Sequence, residues 1–342
     1  MAVSTRVRCA RRHFADRHLT KMFLAKPQRA QMKICNEKKR ISFLGLCLFI
    51  MGTLASCTTQ KPPLQVGDLP RVLAVETFLT DMAQNVAGER LKVDALMPIG
   101  LDPHAFQPTP ADVAKIADCQ VLIVNGTGFE VWLDETLRNA GGNRLVVEAS
   151  AGLQPRKPAQ TEVVDETQDP HFWLDPVSAT RYVENIRDGL IQADPAGKEI
   201  YTQNAEGYIA SLKELDSWIR TQVEQISAGQ RLLVTNHESF GYFADRYGFK
   251  IVGTVLPSVS TGAAPSAEQM ATLIEKIRAS GAKAIFLETG ADKRLADQIA
   301  QETGAKVITG LYTHSITEPG GKASTYLSMM KYNTTLIVDA LK

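Results

Sequence analysis

Residues 231–256, RLLVTNHESFGYFADRYGFKIVGTVL, decide the fold. An apolar β-type run (231–236) ends at His237, a helical stretch follows near 238–247, and a second apolar run occupies 250–256. Alternation of apolar strands with amphipathic helices implies parallel sheets with helices on their faces. The same alternation continues downstream, with a helix near 266–279, a strand at 282–288 (AKAIFLE), a helix near 291–303 and a strand at 306–310. Ser266 with Gln269 reads as a capping box opening the first of these helices, and Gly281 as its close.

Upstream, a matching series is predicted. Strands are expected at 71–76, 91–97, 121–126 and 144–149, with helices near 78–87, 111–118 and 130–138. Asp175-Pro176 supplies an N-cap and an N1 proline for a helix near 177–190, and Asp194-Pro195 starts another. From about 196 to 228 no proline intervenes, and Ile209, Leu212, Leu215 and Ile219 recur at helical spacing. Such a rod could reach about 45 Å at ~1.5 Å per residue. The fold class is therefore α/β: an N-terminal lobe at 71–195 and a C-terminal lobe at 229–342, joined by a backbone helix at 196–228.

The 342 residues carry a formal net charge of +1, but the balance is uneven. The first 56 hold 12 basic and 2 acidic residues, leaving 26 basic against 35 acidic in the other 286, a net of −9. A body this acidic argues against nucleic acid as partner. The apolar run ISFLGLCLFIMGTLAS (41–56) directly follows Lys38-Lys39-Arg40, the order of a secretory signal. About 16 residues is slightly short of the ~20 that span a bilayer. Residues 1–56 are thus assigned to a signal region, with Met32 a plausible true start, and 57–70 to a linker. Leu54-Ala55-Ser56-Cys57 resembles the lipobox of bacterial lipoproteins, which makes Cys57 the expected acylation site; a plain secretory signal or single-pass anchor is the alternative. Cys9, Cys35 and Cys47 precede the cleavage point and Cys57 is assigned to lipid, leaving Cys119 as the remaining cysteine, so no disulfide framework or cysteine metal site is available. Cys119 reads as a buried structural thiol.

Outside the leader there are four histidines, His104, His171, His237 and His314, separated by 67, 66 and 77 residues. Taken singly, each is more often an ordinary loop or core histidine, and the spacing matches no short metal motif. Their placement is more informative. His104, His237 and His314 each follow a predicted strand, where open parallel sheets place their ligands, and two come from each half. Four converging imidazoles suit Zn²⁺, and also Cu, Ni and Fe, whereas Mn²⁺ prefers oxygen. Four protein ligands leave no place for an activated water, which argues for holding an ion rather than catalysis. Asp102, Asp169, Asp175 or Glu238 could orient an imidazole through its second nitrogen; for Asp175 and Glu238, helix capping is the preferred reading.

GLDPHAFQPTPADV (100–113), DPHFWLDP (169–176), TNHESFGYFADRYGF (235–249) and YLSMMKYN (326–333) closely resemble the zinc/manganese solute-binding proteins of ABC transporters. The resemblance covers about residues 68–342. It implies two α/β lobes joined by a long helix, a metal buried between them, and delivery to a membrane permease powered by an ATPase. It also implies His104 and His171 as the first two ligands. The third is usually His in zinc-type members and Glu in manganese-type ones, and here it is His237. The fourth is commonly Asp, whereas this chain has His314. Imidazole in that place leaves a buried dication without compensating charge, so Glu288 is expected as additional ligand or counter-charge. Zinc-type members often carry a His-rich loop before the second ligand; here 155–170 lacks His but holds Glu162, Asp165, Glu166 and Asp169, and a solvated loop is the expectation.

The reading that follows is a monomeric, lipid-anchored extracytoplasmic receptor that captures Zn²⁺, with Mn²⁺ or Fe²⁺ as alternative cargo, and that is not an enzyme. The rivals are a cell-surface zinc hydrolase using Glu238 or Glu288 as general base, and an adhesin that metal merely stabilises.

Overall fold

Residues 69–157, 168–262 and 264–342 are described by a computed structural model of the chain. The signal region, Cys57, the proposed start at Met32, and Glu162, Asp165 and Glu166 lie outside the described residues.

The first half builds a four-stranded sheet from β1 (Val72–Ala74), β2 (Val93–Ala95), β3 (Val121–Val124) and β4 (Leu145–Glu148), in the order β2-β1-β3-β4. The second half repeats this with β5 (Leu232–Thr235), β6 (Lys250–Thr254), β7 (Ala284–Glu288) and β8 (Lys306–Leu311), in the order β6-β5-β7-β8. Every pairing is parallel, as expected from the alternation of elements. In each sheet the strand order reverses beside the first strand, between β1 and β3 and between β5 and β7. A crevice opens beyond the strand ends at such a reversal.

The connecting helices are α1 (Thr77–Ala87), α2 (Pro110–Asp118) and α3 (Leu133–Ala140), then α4 (Pro176–Ala193) and α5 (Lys198–Val223), then α6 (Gly241–Tyr247), α7 (Ala267–Ser280) and α8 (Arg294–Thr303). Their start signals act largely as the sequence predicts. Asp175 caps α4 by accepting from the Val177 N–H at 2.9 Å, and Ser266 and Gln269 form a reciprocal capping box on α7, which Gly281 ends in the left-handed region. Asp194 differs: instead of capping, its carboxylate takes Arg90 and the Tyr201 hydroxyl. The long helix α5 is 26 residues rather than the expected 33, so it extends about 39 Å; a 3₁₀ turn at Pro195–Gly197 precedes it, and it ends at Val223, ahead of another at Ala228–Gln230. A last helix, α9 (Tyr326–Leu341), is not expected from the alternation because it follows the final strand. It buries Tyr326, Met329, Met330, Asn333, Thr334, Ile337, Val338 and Leu341, one face at helical spacing.

Side-chain alternation divides each sheet between two cores. Leu73, Val75, Leu122 and Val124 face an outer cluster of the first half, and Val234, Ile285 and Leu287 face one in the second. Their neighbours Val72, Ala74, Val121 and Ile123, together with Leu233 and Phe286, join one continuous cluster. Tyr201, Ala205, Tyr208, Leu212, Leu215 and Ile219 of α5 belong to that same cluster. An apolar core shared by both sheets is expensive to open, since every square ångström exposed costs roughly 25 cal/mol, and it holds the two sets of strand ends in fixed relation.

Gly189 of α4 lies against β4, where an added Cβ would come within 2.4 Å of Val147 Cγ2. Gly189→Ala is expected to destabilise the fold by about 1–3 kcal/mol through overpacking, read as a lower midpoint in urea unfolding with unchanged slope.

Candidate metal site

The four histidines predicted as ligands come together. Each offers a ring nitrogen, and these four atoms all lie within 4.8 Å of one another. His104 sits in a 3₁₀ turn (Pro103–Ala105) beyond β2, with its backbone N–H accepted by Asp102. His171 directly precedes another 3₁₀ turn (Phe172–Leu174) that leads into α4. His237 follows β5, and His314 follows β8. In β8 a register shift sets Glu288 opposite Leu311 and leaves Gly310 unpaired. Gly310 has φ 98°, a conformation glycine adopts without strain, and the bulge sets the line of the chain that presents His314.

Distances within the cluster are diagnostic. His171 Nε2 lies 3.3 Å from His237 Nε2 and 3.5 Å from His314 Nε2. A tetrahedron of nitrogens about 2.0–2.1 Å from a central ion has edges of about 3.3–3.4 Å. The ring centroids are 5.0 to 5.6 Å apart in all six pairings. His104 Nε2 is buried with no hydrogen-bond partner. Buried polar atoms are normally satisfied, so converging lone pairs of this kind call for a cation among them.

Carboxylates hold the far side of the rings. Asp169 Oδ1 meets His171 Nδ1 at 2.9 Å and also accepts the His171 backbone N–H. Glu288 Oε1 meets His237 Nδ1 at 2.7 Å, and its Oε2 is 3.6 Å from His314 Nδ1. A proton on Nδ1 leaves Nε2 as a lone pair facing the cluster. Glu288, expected as additional ligand or counter-charge, lies behind the rings of His237 and His314, while Asp169, expected in a solvated loop, is fully buried. Glu238 does not cap a helix; its Oε1 pairs with Arg156 Nη1 at 3.4 Å, and Arg156 also pairs with Asp169 and Asp245. Arg156 was not among the expected site residues, since it lies in a stretch that reads as loop.

Phe129 and Trp173 are further residues the sequence did not single out. Phe129 stands edge-on to His104 with centroids 4.9 Å apart, and Trp173 lies 5.1 Å from His171. Trp173 is fixed by stacking on Phe78 and by donating from Nε1 to the Thr313 carbonyl at 2.8 Å. Position was the available signal: Phe129 follows β3, at the strand reversal.

These surroundings shift the site's acids and bases. Burial, then the neighbouring imidazoles, hold His104 and His171 well below the ordinary 6.5. Burial also lowers His314, against the pull of Glu288. For His237 burial acts in the same sense, but the Glu288 carboxylate outweighs it and raises the ring above 6.5. Burial opposes ionisation of Glu288, yet His237 draws it down to about 2. Burial pushes Asp169 up to about 7, partly offset by the His171 N–H and Arg156. Cys119 is buried, as expected, with its Sγ 3.2 Å from the Ile116 carbonyl.

His104 and His171 bind fewer protons folded than unfolded, so their contribution to stability is lost as pH falls through 6.5, by up to about 1.4 kcal/mol per group per pH unit. His237, raised when folded, contributes below 6.5 and loses that contribution as pH rises through its folded value. An NMR pH titration of the metal-free protein should therefore show one imidazole titrating above 6.5 and at least two far below it.

Comparisons with known proteins bear on the family and the fold. The model of the family described as zinc-uptake complex component A, periplasmic, matches residues 72–340. The manganese-binding lipoprotein MntA of Halalkalibacterium halodurans is 32% identical, over 89% of this chain and 99% of that protein. The iron ABC transporter substrate-binding lipoprotein MtsA of Streptococcus pyogenes is 28% identical over the same shares. Among solved structures, the periplasmic zinc-binding protein TroA of Treponema pallidum superposes with a TM-score of 0.74 at 28% identity, covering 80% of this chain and 99% of that one. A manganese-bound periplasmic metal-binding protein of Candidatus Liberibacter asiaticus gives 0.73 at 29%, over 80% and 100%.

Proposed function

The chain belongs to the zinc-uptake complex component A family and is a metal-binding, substrate-binding protein of an ABC transporter; we propose that its cargo is Zn²⁺, held by His104, His171, His237 and His314. The observation that carries this reading is the set of four ring nitrogens within 4.8 Å, with two measured edges at tetrahedral spacing. All four donors are imidazole nitrogens, which suit zinc better than the oxygen-preferring Mn²⁺. Relatives named for manganese and iron keep those ions as the second reading. With four protein ligands no coordination position remains for an activated water, which supports capture and release in place of hydrolysis.

A substrate-binding component implies a permease and its ATPase as partners, and the lipoprotein relatives support an extracytoplasmic, membrane-held position. No helix among the described residues is long and apolar enough to cross a membrane. We assign attachment to acylation at Cys57, because stable anchoring by acyl chains requires no spanning helix, and we take the working form to be a monomer.

Calorimetric titration of the purified protein with Zn²⁺ should give one tight site, and His171→Ala should weaken it at least a hundredfold; a second equivalent site, or unchanged affinity in the variant, would sink the proposal. Affinity should fall as pH drops through the raised His237 value, because that ring is the first in which proton competes with metal.

Glu288→Gln keeps the shape but removes the negative charge 2.7 Å from His237 Nδ1. Zinc affinity is expected to fall about 10–100-fold with the stoichiometry unchanged, which competition against a chromophoric chelator would measure.

A further inference from the structure

A cavity of about 1070 Å³ adjoins the histidine cluster, with Glu288 and His314 in its wall beside Asp102 and Thr261. Of the four histidines, His314 lines it, and a segment of the second half borders it. This segment, residues 255–262, leaves the end of β6 and is tied to the residues around His237: the Leu256 N–H donates to the Asn236 carbonyl at 2.7 Å, and the Glu238 N–H to the Ser258 carbonyl at 2.9 Å. Its other end crosses to the first half, where the Thr261 hydroxyl donates to Asp102 Oδ2 at 2.5 Å.

Asp102 makes that crossing consequential. Its other oxygen, Oδ1, accepts the backbone N–H of His104 and lies 3.9 Å from His314 Nδ1. One carboxylate therefore joins the turn bearing the first histidine to a strap rooted beside the third. A second crossing differs in kind: Ser315 Oγ accepts from both the Gly100 N–H and the Thr77 hydroxyl, a node built into the packing next to His314. Thr261 is half-buried and 24 residues in sequence from the nearest of the four histidines, His237, so its hydroxyl can be removed without altering a ligand side chain.

We propose that Thr261 is the clasp of this strap: its bond to Asp102 restrains the mouth of the site and sets the rate at which the ion leaves, while contributing no donor atom to the ion. The inference rests on the proposed metal-binding function. A hydrogen bond to a charged acceptor is stronger than one between neutral groups, and its loss should be felt as a rate.

The test is release of Zn²⁺ from the loaded full-length protein into excess fluorescent chelator, followed by stopped flow. Thr261→Val, which keeps the shape and removes the hydroxyl, should release zinc about tenfold faster, a factor equivalent to about 1.4 kcal/mol. Thr261→Ser, which restores the hydroxyl, should stay within twofold of wild type, and all three proteins should bind one ion. Release from the valine variant within twofold of wild type would overturn the clasp, as would a serine variant as fast as the valine one. Loss of the one-ion stoichiometry in the valine variant would also overturn it, by giving Thr261 a part in holding the metal. Failure of the wild-type protein to bind zinc would instead remove the functional reading beneath it.

Discussion

Four imidazoles aimed at one point inside a protein are an unstable arrangement by themselves. Their lone pairs repel, and their burial disfavours the protonation that would relieve this. The rest of the site answers that problem. Glu288 and Asp169 grip the Nδ1 sides of His237 and His171 at 2.7 and 2.9 Å, which turns the Nε2 atoms inward. Arg156 in turn pairs with Asp169 and Glu238, so the negative charge behind the rings is itself held in place. Ring, carboxylate and guanidinium form a layered arrangement in which each layer orients the one inside it.

Such orientation requires a rigid support, and the fold supplies it through the core shared by the two sheets. Ligands drawn from separate lobes would drift with any movement at the joint. Here the inner faces of both sheets pack into one cluster with α5, and Asp216 of α5 accepts from Arg246 at 2.8 Å and from the Tyr247 hydroxyl at 3.0 Å, fastening α6 directly below His237 in sequence. Trp173 adds a link of another kind, since its ring touches His171 while its Nε1 bonds the carbonyl beside His314. The histidines of the two halves are thus registered by side chains that never meet the ion.

Most of this frame was legible in the sequence because it depends on local pattern. The alternation of strand and helix set both parallel sheets, and histidines just past the strands β5 and β8 pointed to convergence at their ends. What was not legible depends on contacts between distant segments. Asp169 reads as part of an acidic loop until the fold buries it against His171, and Glu238 reads as a helix cap until Arg156, 82 residues away, reaches it. Phe129, Trp173 and Thr261 carry no chemical signature by type; only position relative to the rings gives them meaning. The missed helix α9 is different, for its apolar spacing was present in the chain, but a terminal helix after the last strand has no place in a strand–helix alternation.

The placement of charge also bears on which ion the site takes. A dication buried among four neutral rings needs about two negative charges near by. Glu288, ionised down to about pH 2, supplies one. Asp169, raised to about 7 by burial, would be drawn down by a cation on the far side of His171 and supply the second. Both carboxylates stand behind imidazole rings, at the Nδ1 atoms of His237 and His171. That separates charge from donor type: the site can neutralise a divalent ion without offering it the carboxylate oxygens that manganese favours. Replacing a ligand carboxylate by His314 therefore does not leave the cation uncompensated. It moves the compensation outward by one ring.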